Sequence, residues 1–162
     1  MAAKVVRADT AKAAPLAMAI HAMAVLVGEG GVLIRGPSGA GKSSLAEAIL
    51  AQAALGGRFA RLIGDDRVRL CVTGGRLTAR PHPRIAGLIE RRGAGIAHIP
   101  CEAAAVVRLV VDIAQEGGAA DRLPAQADCC VSLHGIELPR LRLPVGLPPQ
   151  EQARRALSAL DG

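Results

Sequence analysis

Two short apolar runs flank a glycine-rich break near the start of the chain: Met23-Ala24-Val25-Leu26-Val27, then Gly28-Glu29-Gly30-Gly31, then Val32-Leu33-Ile34-Arg35. Runs of this length around turn residues predict a β-hairpin. The next apolar positions take helical spacing over residues 44–55, and Gly56-Gly57 supplies a stop signal. Arg61-Leu62-Ile63-Gly64 predicts a short strand that ends in Asp65-Asp66. Residues 68–73 and 76–79 flank Gly74-Gly75 as a second hairpin. Pro81-His82-Pro83 then interrupts the chain before a short helical stretch at residues 85–90. Residues 95–99 and 106–113 predict two further strands, and the polar residues 115–127 a loop. Residues 138–144 carry Pro139 and Pro144, which cannot donate to a ladder, so this segment is expected only as an edge strand. An amphipathic helix over residues 150–160 closes the pattern.

Hairpins therefore outnumber helices. The expected fold is α/β with a largely β core and one main helix, without the regular strand–helix alternation of a doubly wound nucleotide fold. With no internal repeat and no long linker, residues 1–162 are expected to form one domain, large enough to bury a core.

Composition narrows the chemistry. The chain is 51% hydrophobic, with no Tyr or Trp and a single Phe, so its core must be Leu, Val, Ile and Ala with Phe59 as its only ring. Without a ladder of aromatic rings, single-stranded nucleic acid is not an expected partner. The net charge of +6 suits anionic partners such as nucleotide phosphates or an acidic protein face, although the scattered arginines equally describe a solvated basic surface. Cys71, Cys101, Cys129 and Cys130 form no C-x-x-C pair and are expected as buried free thiols in a reducing, cytoplasmic compartment. The apolar residues 13–27 are interrupted by Pro15 and His21 and are too few to span a bilayer. Lys4, Arg7 and Ala22-Met23-Ala24 mimic a secretory signal, but the run feeds directly into the first hairpin.

The most informative segment is Gly36-Pro37-Ser38-Gly39-Ala40-Gly41-Lys42-Ser43, followed by Ser44. It fits G-x-x-x-x-G-K-[ST] at every fixed position and lies between a predicted strand and a predicted helix, the context this phosphate-binding loop requires. Its glycines let backbone N–H groups converge on phosphate oxygens at the positive end of the new helix. Lys42 is positioned to reach the terminal phosphates of a nucleotide, and the Ser43 hydroxyl to hold Mg²⁺.

A phosphate loop also needs a carboxylate at a nearby strand end, and Asp65-Asp66 supplies it. If the strand continues through both, they face opposite sides. Asp66 then shares the face of Val68 and Leu70, and desolvation there raises its pKa toward that of a general base.

In order along the chain, Ile20-His21-Ala22, the phosphate loop, Asp65-Asp66-Arg67-Val68, Leu88-Ile89-Glu90-Arg91-Arg92-Gly93-Ala94-Gly95-Ile96, Asp121-Arg122-Leu123 and Gly135-Ile136-Glu137-Leu138-Pro139 through Leu143-Pro144-Val145 resemble the catalytic domain of the HPr kinase/phosphorylase family. The Glu-x-Arg-Gly-x-Gly-Ile segment is the specific part. The resemblance implies the HPr kinase and phosphoenolpyruvate carboxykinase-like fold. It also implies transfer of the γ-phosphoryl of ATP to a serine of an HPr-type phosphocarrier protein of a phosphotransferase system. Carried over by position, His21 and Lys42 line the phosphates, and Ser43 and Glu90 bind Mg²⁺. Asp66 takes the proton of the acceptor serine with Asp65 beside it, and Arg122 neutralises phosphate charge or orients the acceptor. Read without the resemblance, His21 is a core histidine, Glu90-Arg91-Arg92 a charged helix end and Arg122 a surface loop residue.

The departures from the family are specific. Members commonly carry an additional N-terminal domain, and this chain is expected to be a short catalytic form without it. Where they continue with a basic, glycine-containing loop tied to dephosphorylation, this chain has Gly146-Leu147-Pro148-Pro149, so kinase activity is favoured over residual phosphorylase activity. The hexameric assembly the family implies has only a shortened C-terminal helix to build on. A second class of function, a nucleotide-binding regulatory module or plain ATPase, uses the same loop and predicts that Lys42 matters while Asp66 does not.

Overall fold

The computed structural model describes residues 18–115 and 129–162. Strands β1 (Met18–His21), β2 (Met23–Val27) and β3 (Gly30–Arg35) precede helix α1 (Lys42–Leu55). Then come β4 (Ala60–Gly64), β5 (Arg67–Thr73), β6 (Arg76–Pro81), a 3₁₀ turn at Pro83–Ile85, β7 (Leu88–Arg91) and β8 (Gly95–His98). The last elements are β9 (Ala105–Ala114), β10 (Cys130–Leu133), β11 (Ile136–Pro144) and α2 (Pro149–Asp161).

The main sheet runs β1-β5-β6-β9-β3-β2-β4, with β11 joining β9 and carrying β10. Both predicted hairpins are present: β2 pairs antiparallel with β3, Val25 opposite Val32, and β5 with β6, Cys71 opposite Thr78. The pairing of β3 with β9 is parallel, placing Ile34 beside Val111 and Arg35 beside Asp112. No local pattern encodes that long-range pairing.

Side chains on successive strand residues point to opposite faces, and here both faces are covered. Met23, Val25, Ile34 and Val111 lie with Leu45, Ile49 and Ala153 in the layer under α1 and α2. Ala24, Leu33 and Val110 pack instead against Val68, Leu70 and Leu77. A sheet buried on both sides reads as continuous apolar runs rather than as alternation, which explains the sequence of β2, β3 and β9. Leu33 and Ile34 are fully buried, so truncating either to Ala is expected to cost about 2–5 kcal/mol. Helix α1 buries Leu45, Ala46, Ile49 and Ala53, and the side-chain amide of Gln52 donates to the Gln150 carbonyl at 2.7 Å. The fold is thus the sheet-dominated α/β arrangement expected.

Several expectations are corrected. Residues 85–90 form no helix: after the 3₁₀ turn, Leu88–Arg91 pairs antiparallel with Gly95–His98. The helical turn stops after three residues because Ala86 is extended (ψ 130) and Gly87 takes a positive φ of 75, and a four-residue strand is too short to show its period. Phe59 is not a core ring, because it lies on the surface beneath the Arg61 guanidinium, 4.6 Å from its centroid. All four cysteines are free, but only Cys71 is buried; Cys101, Cys129 and Cys130 are exposed. Strand β11 pairs with β10 over Cys130↔Pro139 to Leu133↔Ile136 and with β9 from Arg140 to Pro144, so each stretch has one partner strand along a different part of its length. The loop predicted at residues 115–127 lies, beyond Gln115, outside the described residues. No helix among the described residues is long and apolar enough to cross a membrane.

Candidate functional site

Strand β3 delivers the chain into the Gly36–Ser43 loop, which wraps into the first turn of α1. Gly36 sits against the neighbouring strand: a Cβ there would lie 2.7 Å from the Ile113 carbonyl oxygen. Only glycine fits that approach, so the loop is pinned to the end of β9. Helix α1 starts where the Leu45 N–H donates to the Gly41 carbonyl at 2.9 Å. Its first-turn N–H groups have no partners within the helix and face a cleft of about 660 Å³ lined by Ser38, Gly39, Gly41, Lys42, Ser43 and Ser44.

Lys42 is buried, and its ammonium donates to the carbonyls of Gly36 at 2.9 Å and Pro37 at 3.0 Å. It also lies 3.2 Å from His21 Nε2, at the end of β1. On its other side His21 Nδ1 lies 2.6 Å from Asp66 Oδ1. An ammonium can only donate, so Nε2 is the acceptor and Nδ1 carries the proton toward Asp66. Lys42, His21 and Asp66 thus form one polar chain across the mouth of the loop.

The acidic pair does not sit as the strand model predicts. Strand β4 ends at Gly64, and the Arg67 N–H closes a tight three-residue turn onto the Asp65 carbonyl at 2.6 Å. Asp66, at its centre, has φ +61, a left-handed conformation that asparagine and aspartate tolerate better than most residues. The turn rotates Asp66 outward, leaving its side chain 62% exposed, so it does not share a buried face with Val68 and Leu70. Asp65 is the buried member. Burial pushes its carboxyl above the ordinary value, opposed by the Glu90 N–H, which donates to Oδ2 at 2.9 Å, and reinforced by the charge of Asp66. Desolvation therefore acts on Asp65, which the alternation rule placed on the other face.

Glu90 reaches the same cleft from strand β7, not from a helix end. The strand is anchored by Ile89, fully buried in the layer under α1. Glu47, Arg91, Arg92 and Ala94 complete the wall. The segment 90–92 was legible as a motif, but nothing in it indicated that all three residues line the cleft of the loop. Arg91 pairs with Glu47. Of the residues singled out from sequence, His21, Ser38, Gly39, Gly41, Lys42, Ser43, Ser44, Asp65, Asp66 and Glu90 line one cleft. Gly36 and Pro37 stand behind Lys42 as its acceptors, Ala40 is buried, and Arg122 lies outside the described residues.

The oxygen donors suit a hard divalent cation. Ser43, Glu90 and the Asp65–Asp66 pair are oxygen-only, and the charges of Asp66 and Glu90, which add to burial in raising the Asp65 carboxyl, are what such an ion would offset. Among the described residues no three His, Cys, Asp or Glu side chains form a closed metal cage. Mg²⁺ at a nucleotide needs none, since it keeps waters and phosphate oxygens as ligands. Asp112, at the end of the strand parallel to β3, is no candidate ligand: Arg35 and Arg140 hold it.

Comparison with known proteins identifies the family and the fold. Residues 13–151 match the family model of the HPr Serine kinase C-terminal domain. Over 76 residues, 47% of the chain, it is 40% identical to the HPr kinase/phosphorylase of Mycoplasma mycoides subsp. mycoides SC, a match that spans 22% of that relative's length. The fold matches the structure of the Hpr(Ser) kinase/phosphatase from Coxiella burnetii with a TM-score of 0.68, covering 90% of this chain and 99% of that one at 21% identity.

Proposed function

This chain belongs to the HPr serine kinase C-terminal domain family, and from that premise we propose that it transfers the γ-phosphoryl of ATP to a serine of an HPr-type phosphocarrier protein. The observation that carries the reading is the polar chain Lys42–His21–Asp66, which sets a carboxylate beside the mouth of the phosphate loop. Phosphoryl transfer asks little covalent chemistry of a protein, so positioning and charge do most of the work. The loop N–H groups and Lys42 bind the phosphates. Asp66, exposed to the cleft and held by the His21 Nδ1–H, accepts the proton of the serine hydroxyl as its oxygen attacks phosphorus. Buried Asp65 fixes strand β7 through the Glu90 N–H and so sets where Glu90 stands. Ser43 and Glu90 would hold Mg²⁺, which would supply neutralisation of the phosphate charge. Arg122 is assigned to the phosphates or the acceptor by its place in the family motif.

The test combines the protein with Mg²⁺, γ-labelled ATP and an HPr-type carrier. Acid-stable label on a carrier serine is the expected result. Free phosphate released at a substantial rate with the carrier unlabelled would favour a plain ATPase. Asp66→Asn is expected to retain ATP binding while transfer falls by about 10²–10⁴-fold, and Lys42→Ala to lose both. A regulatory nucleotide-binding module would instead tolerate Asp66→Asn.

A further inference from the structure

We propose that the outward face of strands β1, β5 and β6 docks acidic side chains of the protein acceptor and steers its serine to Asp66. The inference rests on the kinase reading of the neighbouring cleft. Residues directly opposite in an antiparallel pair share a face, and so do residues two apart on one strand. The register sets His21 opposite Arg67, Ala19 opposite Arg69, and Arg69 opposite Arg80. Between them Ile20, Val68, Leu70 and Ala79 pack inward with Leu33 and Val110. Arg67, Arg69 and Arg80 therefore stand on the outward face, the same one from which His21 holds Asp66 at 2.6 Å. Successive residues on one face of a strand lie about 7 Å apart. The row of arginines thus begins beside the carboxylate that receives the serine proton and leads away from it.

This row differs from the other arginines of the molecule. Arg35, Arg58, Arg91, Arg140, Arg154 and Arg155 each meet a carboxylate. Strands β1, β5 and β6 contain no Asp or Glu, and among the described residues the guanidinium groups of Arg67, Arg69 and Arg80 have no hydrogen bond or ion pair. Arg69 is half-buried even so. Directly opposed like charges at Arg69 and Arg80 weaken the hairpin until carboxylates come between them. None of the three lines the cleft, so a nucleotide bound there leaves them unneutralised. The face also has no ring on which a nucleobase could stack, because Phe59, the one aromatic residue, packs with Arg61. An acidic protein surface supplies the complementary charge, which speeds encounter and fixes orientation more than it adds affinity. The acceptor is thus expected to carry carboxylates about 7–15 Å from its serine, at the spacing of the strand residues.

The experiment compares wild type with two double substitutions, Arg69→Gln with Arg80→Gln and Arg69→Lys with Arg80→Lys; Arg67 is kept because it adjoins Asp66. Steady-state transfer to an HPr-type carrier is measured at about 50 and about 300 mM salt, beside direct binding of the carrier and of Mg·ATP. The Gln pair is expected to raise KM for the carrier about tenfold at low salt, with kcat and Mg·ATP affinity within about twofold of wild type. That difference should shrink at high salt, and the Lys pair should stay close to wild type, since steering needs charge rather than a planar fork. Neutralising the carrier's carboxylates near its serine should weaken wild type as much as the Gln pair does, and combining the two changes should add little. Thermal melts should show the Gln pair no less stable than wild type, because it relieves a repulsion. An unchanged KM, a fall confined to kcat, or an equal loss of Mg·ATP affinity would overturn the docking face. Arginine-dependent binding of duplex DNA with the carrier KM unchanged would assign the face to nucleic acid instead. A carrier that binds wild type, loses this with the Gln pair and yet is never labelled would keep the docking face and refute the kinase reading. A carrier neither bound nor labelled would overturn both.

Discussion

Asp65 and Asp112 stand at the ends of neighbouring parts of one sheet, one 9% and the other 8% exposed, yet their carboxyls shift in opposite directions. Burial by itself raises both. At Asp112 it is outweighed by hydrogen bonds and charge from Arg35, at 2.7 Å through two nitrogens, and from Arg140, at 2.6 Å. At Asp65 burial meets only backbone hydrogen bonding and the repulsion of Asp66 and Glu90. Equal burial therefore produces a structural brace in one place and stored electrostatic tension in the other. That tension lies on the cleft, beside the loop that would receive phosphate and cation.

The comparison breaks most sharply under substitution. Asp112→Ala leaves two half-buried guanidinium groups facing each other and is expected to cost about 2–4 kcal/mol of stability, on the low side because both arginines keep some contact with water. Asp65→Asn relieves a repulsion and should leave the urea midpoint unchanged or higher, while phosphoryl transfer falls by at least about tenfold. A protein in which Asp65→Asn is the more destabilising of the two would refute the distinction.

The pH dependence should follow opposite slopes. A depressed carboxyl contributes stability that is present above its unfolded value and lost as pH falls through the lower folded value. The deficit of Asp112→Ala should thus be full near neutrality and shrink below 3.8. A raised carboxyl works the other way: its ionisation penalises the folded state as pH climbs above 3.8. Asp65→Asn should match wild type at low pH and gain on it as pH rises. Urea titrations at several pH values measure both.

Replacing the whole brace, as Arg35→Met with Asp112→Leu and Arg140→Met, is expected to be near neutral or stabilising, since an apolar triad avoids the desolvation of three ions. Thermal melts that show a loss as large as that of Asp112→Ala alone would mean that the brace contributes more than charge pairing. The smallest effect belongs to Glu151, whose carboxyl is lowered to about 2 by hydrogen bonds from Arg154 and Arg155. All three sit on the surface of α2, where solvent screens the pairing, so Glu151→Gln should leave the melting temperature almost unchanged.

Much of the site was legible because it is local. The phosphate loop, the strand before it and the helix after it lie within one continuous segment, and their signals of glycine spacing and apolar period act over a few residues. The same holds for both hairpins and for the stops at residues 56–57. The failures are non-local. Glu90 was assigned to a helix end because four strand residues carry too little pattern, and its strand exists only by pairing with Gly95–His98. Asp66 was expected inside because alternation assumes an unbroken strand, and a turn at Asp65–Arg67 ended it. The exposure of Phe59, Cys101, Cys129 and Cys130 was likewise decided by which surfaces other segments cover.

From sequence alone came most of the residues that line the cleft at the start of α1, the sheet-rich α/β class and, through motifs in order, the family. Tertiary structure alone decided that β3 and β9 run in parallel, so that Gly36 abuts Ile113 and Arg35 meets Asp112. It also decided which of two adjacent aspartates is desolvated, and that Arg92 lies on Gly39. The physical reason is range. Backbone preferences and glycine geometry act between near neighbours in the chain, whereas desolvation and charge depend on every group that the fold brings within a few ångströms.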